Sequence, residues 1–223
     1  MAGMNRKLLA ALVVVPLSAT ALHGLLENTA TATSPDYEEM WDMLADSGNQ
    51  VPHVSNDDAL IRSRTIVLAR DVNANSAHHL ITALLRLDRE APGKPIDLYL
   101  RTNGGWTDDL FAIVSVIESI ESPVNTIATG STFSAGAVIL ASGTGVRSAL
   151  PNTLIMVHDN LDVDAERGSF DRMDADRSLA FWKRRARLPK DWFTKSGDES
   201  RYITAEQALR YGIIDEIVEP RER

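Results

Sequence analysis

The feature that most constrains the fold of this sequence is the alternation of short β-branched runs with longer amphipathic segments. The runs are residues 64–68, 96–100, 124–128 and 154–157, and the amphipathic segments are residues 73–88 and 110–120. Runs of this length rich in Ile, Val and Leu are typical of buried strands, and apolar side chains at helical spacing are typical of packed helices. The order predicts βαβ units with right-handed crossovers, and therefore an α/β fold.

The remainder of the chain predicts further elements around this core. Gly130 is expected to end the third strand, and the small apolar residues 134–142 follow it. Residues 164–189 are strongly charged but carry Phe181 and Trp182, so they predict a helix that is either a plain surface helix or a subunit contact. A last helix opening at residue 204 is expected to stop at Gly212, before a strand over residues 213–218.

The N-terminus has the pattern of an export signal. Arg6 and Lys7 precede residues 8–22, which carry no charge and are shorter than the about 20 residues of a membrane span. Small residues at 30–32 fit a cleavage site, and an uncleaved anchor is the alternative. We therefore expect an exported, periplasmic or membrane-tethered protein. Its predicted parts are a signal or anchor over residues 1–32, a linker or flexible arm over 33–60, and a folded domain over 61–223.

Charge and cysteine content exclude several classes of function. The net charge of −8 argues against an extended nucleic-acid contact, which needs a positive surface. Because the chain has no cysteine, it has neither a disulfide framework nor a thiolate nucleophile nor a cysteine-ligated metal. His78 and His79 are adjacent rather than at helical i, i+4 spacing, which is a poor arrangement for a metal site. No cofactor is implied.

Two positions have the character of a nucleophile and its base. Ser134 lies between a strand and a segment of small residues that can begin a helix, where the N–H of Ala135 and the helix dipole favour an oxyanion. His158 ends an apolar strand. Gly104-Gly105, at the end of an earlier strand, can supply a second N–H without a Cβ in the way. Each signal alone has a common structural interpretation, a helix N-cap for Ser134 and a strand-end imidazole for His158.

Taken together and in order, these segments resemble the ClpP family of serine peptidases from about residue 64 to residue 218. The resemblance rests on Gly104-Gly105, on residues 134–137, on residues 149–152 ahead of a strand that ends in His158, and on residues 201–215. It implies the ClpP/crotonase fold, which is made of stacked βαβ units around a central sheet, and a homo-oligomeric ring. It also implies Ser134 as nucleophile, His158 as base, Gly105 and Ala135 as the oxyanion hole, and a peptide or unfolded protein as substrate.

Three features depart from that family. The family's triad acid directly precedes the Arg-aromatic pair that matches residues 201–202, and Ser200 stands there. Asp198 is our candidate for the acid, and Glu199, Asp159 or a hydrogen bond from Ser200 are the alternatives. The segment after His158, which in the family forms the helical handle between two rings, is short. The predicted export signal would separate this chain from an ATP-driven unfoldase; an unfoldase or a membrane protein remains a candidate partner.

Three other functions are compatible with parts of the sequence. Ser200 favours a catalytically impaired scaffold or peptide-binding pseudo-enzyme. An acyl-CoA enzyme of the crotonase branch would share the fold, but its chemistry relies on carboxylates rather than a Ser–His pair. A Ser–Lys dyad would use Lys183, Lys190 or Lys195, which the presence of His158 makes unnecessary.

Overall fold

The computed structural model describes residues 58–158, 169–193 and 200–219. The strands are β1 (Thr65–Leu68), β2 (Ile96–Thr102), β3 (Val124–Phe133), β4 (Arg147–Ala149), β5 (Leu154–Val157), β6 (Arg201–Thr204) and β7 (Glu216–Ile217). The helices are α1 (Asp58–Arg62), α2 (Ala74–Glu90), α3 (Thr107–Ser119), α4 (Ala135–Ser142), α5 (Ser169–Arg185) and α6 (Ala205–Arg210). Helix α1 spans the expected start of the folded domain at residue 61.

Within the described part of the chain, seven strands form one mixed sheet. Its main path is β1-β2-β3-β4-β7, while β5 pairs with β3 and with β6. Every pair is parallel except β5 with β6. The segments β1-α2-β2, β2-α3-β3 and β3-α4-β4 are each a strand, a helix and a parallel neighbouring strand. The α/β fold and its βαβ units are therefore confirmed.

Strand β3 is longer than the sequence predicted. Its length allows it to pair with β4 along its first part and with β5 along its last part. Instead of ending at Gly130, it continues to Phe133. Residues 126–128 pair with β4, whereas residues 131–133 pair with β5. The register against β2 shifts between Leu100 and Thr102, and Gly130 has a φ of 56° within the matching stretch of β3. Glycine tolerates that φ, so here it forms a bulge that redirects the strand without ending it.

Helices α2 and α3 form the predicted packing layer on the sheet. A capping box begins α2, in which the Asn73 side chain accepts from the N–H of Ser76 and the Ser76 hydroxyl accepts from the N–H of Asn73. The buried apolar residues of the two helices are Ala77, Leu80, Ala83, Leu84, Leu87, Leu110, Phe111, Ile113, Val114 and Ile117. Leu85, whose apolar side chain belongs to the segment predicted to pack inward, is instead exposed.

The C-terminal elements required two corrections. Strand β6 was not predicted, and the expected strand over residues 213–218 contracts to β7. Thr204 caps α6 and Gly212 follows it with a φ of 66°, as expected. However, the Ile213 N–H donates back to the Ala208 carbonyl at 3.0 Å, which keeps residue 213 in the turn that closes the helix. Backbone used to close a helix cannot also extend a strand.

Residues 1–57, which contain the predicted signal and all but the last three residues of the predicted linker, lie outside the described residues; those three residues belong to α1. None of the helices in the described ranges combines the length and the apolar character that crossing a bilayer requires.

Candidate active site

Ser134 occupies the single-residue junction between β3 and α4. Its φ of 53° and ψ of −118° are unusual for a residue with a side chain, and they turn the chain sharply from strand to helix. The Ser134 N–H donates to the Met156 carbonyl at 2.9 Å, which ties the junction to β5. A non-glycine residue in such a conformation costs about 1–3 kcal/mol and is found mainly where function requires it. The junction thus has the geometry of a presented nucleophile.

The Ser134 hydroxyl contacts His158 directly. Its Oγ lies 2.6 Å from Nε2 of His158, within the range of a short hydrogen bond. Ser134 is also the N-cap residue of α4, yet its side chain makes no capping hydrogen bond to that helix. The common interpretation of a serine at this position, as a helix cap, therefore does not describe this one. The structure brings together the two residues that the sequence nominated separately.

Strand pairing explains why these two side chains meet. The second half of β3 runs parallel to β5, with Phe133 opposite Met156. Ser134 follows Phe133, and His158 follows the last residue of β5, so both emerge at the same edge where parallel strands end. A β3 that ended at Gly130 would not pair with β5. The bulge is thus a requirement for the Ser134–His158 contact.

The Gly104-Gly105 loop lies against the nucleophile. A Cβ built on Gly104 would be 2.6 Å from Cβ of Ser134 and 3.0 Å from its Oγ, so only glycine fits beside the serine. A Cβ on Gly105 would be 1.9 Å from the Val72 carbonyl oxygen, because the two residues form a parallel bridge. Both glycines have positive φ, 115° and 145°. Close approach of this loop to Ser134 therefore depends on both.

The Thr102 hydroxyl distinguishes the two glycine N–H groups of the loop, because it accepts a hydrogen bond from one of them. The Gly104 N–H donates to Oγ1 of Thr102 at 3.0 Å. In the bridge with Val72, the donors are the N–H groups of Val72 and Trp106. The Gly105 N–H takes part in none of these hydrogen bonds, so it is the candidate oxyanion donor of the loop. Thr102 was given no role from the sequence; its position directly before Asn103-Gly104-Gly105 was the available signal, and the structure shows it buried.

Ala135 supplies the second candidate donor. It is the first residue of α4, where backbone N–H groups have no carbonyl of the preceding turn to bond. The dipole of the helix adds a partial positive charge at this end. A Cβ on Gly104 would also be 3.2 Å from the Ala135 nitrogen, which places the two candidate donor segments side by side.

For the acid that would complete a Ser–His–acid triad, the structure provides one observation, the register between β5 and β6. Strands β5 and β6 are antiparallel, with Val157 opposite Arg201. One step further along the same register, His158 faces Ser200, which is exposed. Asp198, Glu199 and Asp159 lie outside the described residues. The register therefore brings Ser200, the residue directly before β6, opposite His158.

The structure describes most of the other candidates that the sequence raised. Lys183 and Lys190 are exposed, and Lys195 lies outside the described ranges. His78 and His79 pack edge to face on α2. No cluster of three or more side chains suited to holding a metal ion occurs within residues 58–158, 169–193 and 200–219.

The comparison with known protein families agrees with this geometry. The family model described as Clp protease matches residues 49–221 of the chain. That span includes every residue that the structure describes, and with it both glycines of the loop, the junction serine and the strand-end histidine.

Proposed function

The chain belongs to the Clp protease family, a family of serine peptidases, and we propose that it hydrolyses peptide bonds with Ser134 as nucleophile and His158 as general base. The observation that carries this proposal is the 2.6 Å contact between the Ser134 Oγ and the His158 Nε2. A nucleophile and base within hydrogen-bond reach are the structural requirement for this chemistry. The backbone of Ser134 and the glycines beside it support the same assignment.

The proposed reaction follows from the atoms in place. The Ser134 Oγ attacks the carbonyl carbon of the peptide bond while His158 Nε2 takes the hydroxyl proton. The oxyanion that forms is held by the N–H groups of Gly105 and Ala135. When the tetrahedral intermediate collapses, the C–N bond breaks and His158 returns the proton to the leaving amine. Water, deprotonated by His158, then cleaves the acyl ester and restores Ser134.

We propose Asp198 as the acid that orients His158. The support is the β5–β6 register, which puts Ser200 across from His158. Asp198 precedes Ser200 by two residues in the sequence. An acid in this role fixes the tautomer of the imidazole, and its removal costs about 10⁴-fold in kcat in a well-studied triad. Asp198→Asn should therefore lower kcat far more than Glu199→Gln or Asp159→Asn.

The alternative function is a peptide-binding scaffold with impaired catalysis. Ser200 favours it, because a serine occupies the sequence position at which the family has its acid. Retention of Ser134 in an unusual backbone conformation, bonded to His158, favours the enzyme. Backbone strain without a function would be selected against.

The proposed substrates are short peptides or protein segments that are already unfolded. Clp proteases typically form homo-oligomeric rings, and we propose a ring for this chain too. The N-terminal residues 1–32 are proposed to direct export or tethering, on the basis of their basic start and uncharged run. Outside the ATP-containing compartment, the ring would act without an ATP-driven unfoldase.

The proposed activity is tested with a set of fluorogenic peptides and matched variants of the full chain. Ser134→Ala and His158→Ala should each lower kcat/KM by at least about 10³-fold. Ser131→Ala is the control, because Ser131 lies in the same strand and is also partly buried. It should retain activity within about threefold. Equal hydrolysis by Ser134→Ala and Ser131→Ala would refute the assignment.

The proposed location needs a separate experiment. Residues 1–60 fused to alkaline phosphatase, which is active only after export, should give phosphatase activity in cells. Replacing two leucines of the uncharged run, Leu8 and Leu9, by Arg should abolish it. Activity that persists after this change, or is absent from the unaltered fusion, would contradict export.

A further inference from the structure

The C-terminal end of α4 is closed by a side chain from another helix. Arg185, the last residue of α5, donates from Nε to the Ala141 carbonyl at 2.9 Å and from Nη2 to the Gly143 carbonyl at 2.9 Å. The same Nη2 also donates to the Ser142 carbonyl. One guanidinium thus serves three consecutive carbonyls that the helix itself leaves without an intrahelical donor.

Two hydroxyl groups satisfy further carbonyls at this end of the helix. The Ile139 carbonyl accepts the Ser142 hydroxyl at 2.7 Å, and the Leu140 carbonyl accepts the Thr126 hydroxyl at 2.7 Å. Helix α4 carries no charged residue of its own, and all of its residues are buried. Arg185 is therefore the charged group that engages the negative end of its dipole.

The opposite end of the same short helix carries the chemistry. Ala135 begins α4 directly after Ser134, and an eight-residue helix is about 12 Å long. Helix α4 is short, internally hydrogen-bonded and surrounded by packed side chains. We therefore expect it to shift as one rigid body. A shift along its axis at Gly143 would displace the Ala135 N–H by a similar distance.

Arg185 is itself held in place. Its backbone carbonyl accepts from Nη1 of Arg147 at 3.1 Å, and that Nη1 also donates to the Gly212 carbonyl at 3.0 Å. Arg147 completes its contacts with Asp215, from Nε at 3.0 Å and from Nη2 at 2.5 Å. The backbone of Arg185 is thereby linked to β4 and to the turn after α6, which anchors the base of the side chain that contacts α4.

We propose that Arg185 is a positioning residue for catalysis, which sets where α4 stands along its axis and so where Ser134 and the Ala135 N–H lie relative to a bound peptide carbonyl. This inference rests on the proposed function. Displacements of about 1 Å in a catalytic arrangement can cost about 10²-fold in rate. The interaction acts on the transition state through the oxyanion donor, so its loss should lower kcat and leave KM nearly unchanged.

The experiment compares Arg185→Met, Arg185→Lys and Arg184→Met in the full chain, with the wild type alongside. Arg184 is the matched control, because it is the neighbouring cation but its side chain is mostly exposed and pairs only loosely with Glu118, at 3.6 Å. For each variant, kcat and KM on a fluorogenic peptide are measured with the rate of Ser134 labelling by a fluorophosphonate, all per folded molecule, and the unfolding midpoint is recorded separately.

The expected result is a fall in kcat and in labelling rate of about 10-fold or more for Arg185→Met, with KM within about threefold of the wild type. Arg184→Met should match the wild type. Arg185→Lys keeps the charge but offers fewer directed donors, so its kcat should be intermediate, and it decides the matter if Arg185→Met does not fold.

Two outcomes overturn the inference. In the first, Arg185→Met or Arg185→Lys unfolds more easily, yet each folded molecule turns over and labels as fast as Arg184→Met; the residue would then be purely structural. In the second, the wild type neither cleaves peptide nor labels at Ser134, which would remove the proposed function and this inference with it.

Discussion

Replacing Gly104 by alanine tests the active-site geometry at its most crowded point. The added Cβ would stand 2.6 Å from the Ser134 Cβ, 3.0 Å from its Oγ and 3.2 Å from the Ala135 nitrogen. Carbon atoms in contact are ordinarily about 3.5–4.0 Å apart, so either the loop or the serine must move. The movement occurs at the two groups assigned to attack and to oxyanion binding.

The magnitude has two parts. A side chain at the Gly104 φ of 115° costs about 1–3 kcal/mol of folding free energy. Relief of the overlap costs about 1–3 kcal/mol more, as for other overpacked sites. The loss of activity should be larger than the loss of stability suggests, because a displacement of about 1 Å at the reacting groups reduces rate by about 10²-fold.

Gly93 provides the matched control. Its φ of 75° is also positive, but a Cβ there would meet nothing within 4 Å. Gly93→Ala should therefore show the backbone cost alone, about 1–2 kcal/mol, with unchanged kcat/KM. The assay is hydrolysis of a fluorogenic peptide, with folded fraction determined by urea unfolding for both variants. If Gly104→Ala hydrolyses the peptide as fast as Gly93→Ala per folded molecule, the reasoning about Ser134 is refuted.

The remaining predictions concern the triad, stability and pH. Ser200→Asp should raise the kcat/KM of the Asp198→Asn variant by at least about 10-fold, because it returns a carboxylate to the position across from His158; no increase would show that the register argument fails. The Arg64 guanidinium makes four hydrogen bonds around the end of α2. Arg64→Met should therefore lower the unfolding free energy by about 2–4 kcal/mol and leave turnover per folded molecule unchanged. A loss under about 0.5 kcal/mol in urea unfolding would contradict this. Hydrogen bonds from Arg147 hold the pKa of Asp215 below its ordinary value. The stability that this carboxylate contributes is complete above the unfolded pKa of about 3.9 and is lost as pH falls through the lower folded pKa. Asp215→Asn should therefore reduce the fall in unfolding free energy at acid pH. An unchanged fall would contradict the prediction.

The central βαβ units were predictable from sequence because their signals are local. Strand β1 is a short apolar run, β2 places an apolar residue at every second position from residue 96 to residue 100, and α2 and α3 repeat their apolar residues at helical spacing. Each of these elements lies close to the predicted range. The start of α6 at Thr204 was also predictable, because its capping box is a contact between residues three apart.

The elements that the sequence missed depend on distant partners. Strand β4 has three residues, and its place follows from pairing with β3 and β7. Strand β6 exists because β5 offers an edge, and Gly130 forms a bulge because β3 must reach β5. Glycine in a strand is compatible with either an end or a bulge, and only the tertiary pairing decides between them.

The same distinction between local signals and contacts with distant residues applies to the site. Ser134, His158 and the paired glycines were nominated from sequence, but their mutual contacts come from the β3–β5 pairing. The roles of Thr102 and Arg185 were not foreseen, because each depends on a backbone group that only the folded chain brings near. A guanidinium that caps a helix more than 40 residues earlier leaves no local pattern.

The most direct test of the central claim is the site and rate of fluorophosphonate labelling in the full-length, assembled protein. Intact mass and peptide mapping of the labelled chain identify the modified residue, and the His158→Ala variant reports whether the imidazole activates it. Our account predicts a single modification at Ser134, slowed at least about 10²-fold in His158→Ala. Absence of label at Ser134 in the wild type, or equal rates with and without the imidazole, would contradict it.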